Sequence, residues 1–275
     1  MLIRIGFDIA IACAQPTPVV LKVLVEPDRC RDLRSNDLVA TSPFVSLTTD
    51  VDVYGNRELR GVAPAGDTEF SMSAIVYTDG RPDPVNLHAR QTTPAELPAD
   101  VLRFLQPSRY CESDLLSAFA WSKFGSVPEG WQRVQAIANH VNSWLTFGYE
   151  NADMFRTAVG AHAQRRGVCR DFAHLAIALC RAMNIPARYC NGYLGDIGVP
   201  ANPSPMDFNA WFETFIGDQW YTFDARHNQR RVGRIVISRG LDAADCAILH
   251  TFGQHVLKRF TVETLEIMQP NIVAA

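Results

Sequence analysis

Residues 165–183, RRGVCRDFAHLAIALCRAM, constrain the fold of this chain more than any other stretch. Gly167 is a turn signal, and Cys169 follows it at once. Phe172, Leu175, Ala176, Leu179 and Met183 then recur at the i, i+3, i+4, i+7 spacing of one buried helix face. The helix must end before Pro186, because the residue preceding a proline is pushed out of the α region. Cys169 therefore falls in the first turn of a core helix. Free backbone N–H groups and the positive end of the helix dipole favour an anion there, so the position predicts a thiol more acidic than the other six cysteines. The other reading of such a cysteine is a small, inert core residue.

The chain has 275 residues, enough for one large domain or two ordinary ones. An apolar content of 47% with 20% charged residues describes a globular protein. A net charge of −3 gives no case for nucleic acid or an anionic membrane surface as partner. No apolar run is long enough to span a membrane, and Arg4 and Asp8 interrupt the N-terminal MLIRIGFDIAIAC, which reads as a strand and not as a signal peptide. Seven cysteines without a CxxC pair describe neither a disulfide framework nor a zinc site. With no GxGxxG, P-loop or HExxH motif either, no metal or cofactor is expected, and a reducing cytoplasm is the expected location.

Up to about residue 85 the pattern is that of strands. Ile3, Ile5, Phe7, Ile9 and Ile11 alternate with Arg4, Gly6, Asp8 and Ala10, and residues 18–26, 45–54 and 68–78 continue in short runs between turn residues. This predicts a β-sandwich-like N-terminal domain over residues 1–90. The proline-rich 79–100 stretch is the candidate boundary. Helices follow, one with Ser113 as a candidate cap and one over residues 131–145. Strands return after Ala187 and close with HVLKRFTVETLEI, so residues 91–275 read as an α+β domain.

Thiol catalysis needs a base within reach of the sulfur and a third group to orient that base. Asp224, ending the strand-like WYTFDA, is the candidate third group, with an ion pair to Arg226 as the purely structural account. If Gly217-Asp218 forms a two-residue turn, Ile216 pairs with Gln219, Trp211 lies opposite Asp224, and position 209 is diagonal to Asp224 on the same face.

GVCRDFAHLAIALCRAMNIPARYCNGYL followed by DFNAWFETFIGDQWYTFDAR resembles the bacterial transglutaminase-like family of papain-like cysteine proteases. PSRYC and YGNRELRGVAPAG resemble the accessory regions of that family, so the likeness runs through nearly the whole chain. It implies a papain-like, transglutaminase-type core, in which a helix bearing the cysteine packs on an antiparallel sheet. It also implies Cys169 as nucleophile and Asp224 as the acid that orients the base. Where the family carries histidine in a His-Ala-Trp segment, this chain reads Asn209-Ala210-Trp211. Asparagine cannot take a proton from a thiol.

Other histidines are candidates for the missing base. His174 lies five residues past Cys169, rotated by about 140° around the helix, and points elsewhere. His162, in the segment before Cys169, and His227, three residues past Asp224, remain as substitute bases. The Cys169 backbone N–H is the natural oxyanion donor, with Gln164 as a possible second. Trp211 and Trp220 either wall a cleft or belong to the core. Two functions follow: thiol-dependent acyl chemistry on a peptide or protein amide, or a cleft that has lost catalysis and binds such a chain.

Overall fold

The computed structural model describes residues 1–268. Six strands come first: β1 (Leu2–Cys13), β2 (Thr17–Leu21), β3 (Ala40–Ser42), β4 (Thr48–Val51), β5 (Arg57–Ala63) and β6 (Gly66–Tyr77). The helical part comprises α1 (Ser117–Phe124), α2 (Trp131–Trp144), the short β7 (Thr146–Phe147), α3 (Ala158–Gln164), β8 (Arg166–Gly167) and α4 (Cys169–Ala182). β9 (Ala187–Tyr193), β10 (Asn209–Ile216), β11 (Gln219–Phe223), β12 (Ile235–Gly240), β13 (Leu249–Thr251) and β14 (His255–Ile267) complete the order. Ser113 does not cap α1; it lies in a turn and its N–H donates to Cys111. Among the described residues no helix is long and apolar enough to cross a membrane.

The alternation in β1 puts Ile3, Ile5, Ile9 and Ile11 in the core, where each full burial contributes about 1.5–3 kcal/mol. Two antiparallel sheets share this core, ordered β14-β1-β6-β3 and β13-β2-β5-β4. Residues 249–267, expected with the α+β part, thus lie in the sheets of the N-terminal region. β14 pairs along the whole of β1, and β13 pairs with β2. A boundary near residue 90 therefore does not separate the strands by sheet. Phe208, Tyr193, Ile235 and Ile237 join the same apolar cluster, so the two parts pack on each other, while the helices and β9–β11 enclose a second core of their own.

The second half is an antiparallel sheet ordered β11-β10-β9-β12, with α4 packed on β9 and β10. Leu175, Ala176, Leu179 and Met183 are fully buried, as the 3.6-residue period predicts. The β10–β11 turn has two residues, with Ile216 opposite Gln219 as the register argument required. Gly217 and Asp218 both adopt left-handed backbone (φ 56 and 64), a conformation glycine enters without a Cβ penalty. The 79–100 stretch is tied down at several points. Gln91 donates to the Met183 carbonyl, and the backbone N–H groups of Trp131 and Gly217 donate to Ala89 and Arg90.

Candidate active site

The start of α4 is fixed by its own sequence. β7 and β8 form a short parallel pair that delivers the chain to Val168. The Val168 N–H donates to Asp171 Oδ2 at 2.9 Å, closing the first turn around Cys169. Asp171 is fully buried and pairs with Arg156 at 3.1 Å. Burial pushes its carboxyl up, against the Val168 N–H and the charges of Arg170 and Arg156. Gly167 is needed for this arrangement, since a Cβ there would stand 2.5 Å from the Asp171 side chain.

Cys169 opens on a cleft of about 410 Å³. Tyr189, Asn191, Asp207, Asn209 and Phe260 share its wall, and Arg170 and Met154 stand at the same cleft. Residue 169 is only partly covered, yet its thiol is surrounded by protein atoms, and burial pushes it up to about 11. The Arg226 guanidinium and the Ala210 N–H pull it down; the Asp207 and Asp224 carboxylates push it up. Burial thus leaves the thiol above its ordinary value, though raised less than the buried thiols of Cys111 and Cys246. Desolvation outweighs the Arg226 charge and the Ala210 N–H together.

Asp224 is 3% exposed in its side chain and fully engaged. Oδ1 accepts the N–H groups of Arg226 and His227, each at 3.0 Å. Oδ2 meets His227 Nδ1 and Arg234 Nη2, both at 2.8 Å. Burial opposes ionisation, but the Arg234 charge and the His227 hydrogen bonds outweigh it and hold the carboxyl well below its usual range. Its ion-pair partner is thus Arg234 and not Arg226. Arg234 also pairs with Asp83 at 2.9 Å and lies 4.9 Å from the Trp211 ring centre.

Asn209 stands at the start of β10, facing the cleft. Its Oδ1 accepts from Arg226 Nη1 at 3.0 Å, and its Nδ2 donates to the Asp207 carbonyl at 3.1 Å. The Arg226 guanidinium lies 3.8 Å from the Phe147 ring centre. Behind Asp207 and Asn209 a water-sized recess of about 40 Å³ holds Arg226, His227 and Tyr149. Burial raises the Asp207 carboxyl, opposed by the Phe208 N–H and by Arg226.

The remaining candidates lie as follows. His227 is oriented by Asp224 but opens on the recess, with Asp207 and Asn209 forming the wall it shares with the cleft. His162 packs in an aromatic cluster, stacked on Trp144 at 5.3 Å and tilted on Phe119 at 4.5 Å. Burial and Arg165 lower its pKa, and it does not line the cleft. Gln164 is exposed and accepts from Arg156. His174 is buried, accepts the Ala243 N–H at 3.1 Å and stacks on Tyr110, with burial holding it neutral. Trp211 is buried with Cys190 and Val236, outside the cleft wall, and Trp220 packs on Phe104 and Phe215.

Arg226, Asp207 and Arg234 are the site residues that sequence reasoning missed. Arg226 was visible only as a neighbour of Asp224. Asp207 precedes the segment where the base belongs, and nothing in its spacing marks it. Arg234 comes ten residues after Asp224 with no pattern to connect them.

Fold and site together define a papain-like α+β protein with its cysteine at the start of the core helix, facing an antiparallel sheet. The family profile of the transglutaminase-like superfamily matches residues 120–225. A solved structure described as a putative cysteine protease from Cytophaga hutchinsonii is 31% identical and superimposes with a TM-score of 0.84. That alignment covers 98% of this chain and 92% of the other. An uncharacterized protein of Mycobacterium leprae is 28% identical over 222 residues, 77% of each chain. An uncharacterized protein of Mycobacterium tuberculosis is 37% identical over 90 residues, a segment of 30% of this chain and 29% of that one. The chain belongs to the transglutaminase-like superfamily.

Proposed function

We propose that the chain is a thiol-dependent amide-acyl hydrolase or transferase acting on a peptide or protein, with Cys169 as nucleophile. The observation that carries this reading is Cys169 itself, held at a locked helix terminus and opening on a cleft beside Arg226, Asn209 and the Ala210 N–H. The thiol proton would go to solvent; attack of the thiolate on an amide carbonyl would then form a thioester as the C–N bond breaks, with water protonating the departing amine. Water or a second amine would then regenerate the thiol. The Cys169 backbone N–H is available to the developing oxyanion, and Arg226 supplies positive charge where a family member would carry imidazolium. No side chain at position 209 can take the thiol proton, so turnover at neutral pH is slow and rises with pH. The resemblance to a cysteine protease over nearly the whole chain supports the same chemistry.

A second reading, a cleft that binds a peptide without turning it over, is favoured by the thiol at about 11 together with the Asn209–Arg226 contact. Seven free cysteines suit a reducing compartment, and we place the protein in the cytoplasm on that ground; fractionation of cells tests it. Acylation separates the two functional readings. The protein would be incubated with a peptide p-nitrophenyl ester at pH 9, quenched in acid and weighed intact. Mass gain at Cys169, absent from Cys169→Ala, supports the enzyme; ester binding without mass gain supports the binding protein.

A further inference from the structure

β14 is an edge strand of its sheet, with β1 on one side. Its outward side is identified by Thr264. The Thr264 N–H donates to Met206 Sδ at 3.3 Å, and a Cβ at Gly195 would stand 2.3 Å from the Thr264 carbonyl oxygen. Both backbone groups of Thr264 therefore face away from β1, towards the 195–206 loop. In an antiparallel pair this orientation alternates, so the backbone groups of Val262 and Phe260 face outward as well.

Among the described residues no strand pairs with this edge, and the open part of it is short. On one side it ends where the loop covers Thr264. On the other it ends at a bulge: the β1–β14 register shifts between Ala10 and Ile11, leaving Lys258 as the extra residue. A bulge with charged Lys258 and Arg259 is how edge strands are kept from pairing with another sheet. Between these limits lies a window of three residues, 260–262. Phe260 lines the same cleft as Cys169 and packs on Phe208 at 5.8 Å. The surroundings are apolar, and they open from Val262, 8% exposed, towards the cleft: Phe260 is 38% exposed, Leu257 53% and Met154 66%.

From this geometry we propose that the outward backbone of Phe260 and Val262 is the docking edge for an extended, apolar segment of the substrate, which adds to β14 as a short strand and crosses the Cys169 cleft. The inference rests on reading that cleft as a peptide-amide site. Strand addition supplies main-chain hydrogen bonds without sequence demands, while alternate side chains of the peptide meet Phe260 and Met154. A window of three residues suits a peptide. It is too short for two copies of the chain to pair stably through their edges.

The test uses Cys169→Ala protein, so that no turnover intrudes, and a fluorescein-labelled Thr-Val-Gln-Val-Thr-Val-Lys probe read by anisotropy. Two further probes carry backbone N-methyl groups on alternate residues, one set for each parity. One N-methylated probe should bind at least about fivefold more weakly than the parent and the other should match it, since each lost hydrogen bond contributes about 1 kcal/mol. Phe260→Ser should weaken the parent probe as well. The proposal is overturned if both N-methylated probes bind like the parent, if the parent does not bind at millimolar concentration, or if the edge is held by a dimer that the probe does not dissociate. Acylation of Cys169 in the unmodified protein is scored separately. Docking can therefore fail while the acyl chemistry stands, and the reverse is equally visible.

Discussion

Alkylation of Cys169 as a function of pH bears directly on how its surroundings treat the thiol. Burial raises the group from 9.0 to about 11, so its thiolate fraction at pH 7 falls from about 10⁻² to about 10⁻⁴. A more basic thiolate is also the better nucleophile, by a factor of about eight for two units at a Brønsted slope near 0.45. The two effects leave Cys169 roughly ten- to twentyfold slower than an unperturbed thiol at pH 7. The rate should rise about tenfold per pH unit and level off only near 11. Limiting iodoacetamide between pH 6 and 10, with quantitation of the Cys169 peptide, measures this profile. Arg226→Gln should move it further to the alkaline side, because the guanidinium is the main group pulling the thiol down. A plateau reached below pH 8.5 would refute the reasoning and show that the helix terminus and Arg226 outweigh desolvation.

Asp171→Ala opens the first turn of α4 and strands Arg156 without its carboxylate. Breaking a buried pair costs about 3–5 kcal/mol, so the thermal midpoint should fall by roughly 10 °C in calorimetry. In a fragment of residues 91–275 the 249–267 segment should exchange its amide hydrogens as an unstructured chain, because β13 and β14 would lose β2 and β1, and amide exchange read by mass spectrometry checks this. The thiols of Cys111, Cys169 and Cys246 are raised by burial to about 12, 11 and 12, above the 9.0 of an exposed cysteine. The unfolded chain therefore releases these protons first. Their contribution to stability is complete below about pH 9 and is lost as pH rises through 11–12, which urea denaturation at pH 8 and 10.5 would show as a lower midpoint at the higher pH.

The elements nearest the thiol were legible because local periodicity determines them. The apolar period of α4, the alternation in β1 and the two-residue turn after Ile216 each follow from neighbours within a few positions. Sheet membership was not legible for β14. Its residues read as a strand, but its pairing with β1 joins positions more than 240 residues apart, and no local pattern selects that partner. Site electrostatics fell between these cases. The helix terminus at Cys169 is a sequence feature, whereas the desolvation that raises its thiol depends on packing from β9 and β10 and the loop before β10. Asp224 was recognisable as an acid in need of a partner, and its partner, Arg234, was not.

The central claim is that Cys169 is the reacting group and that position 209 withholds its base. Asn209→His tests it. The new imidazole would stand where Asn209 now accepts from Arg226, with Asp224 already occupied by His227 and Arg234. Orientation by the acid would thus be incomplete, and the gain should fall below the usual range of about 10²–10⁴ for general acid–base assistance. Hydrolysis of a peptide p-nitroanilide at pH 7.5 should rise at least about tenfold over the unmodified protein, and the gain should vanish in Asn209→His/Cys169→Ala. Unchanged hydrolysis by a folded Asn209→His protein, or a gain that survives Cys169→Ala, would contradict the account.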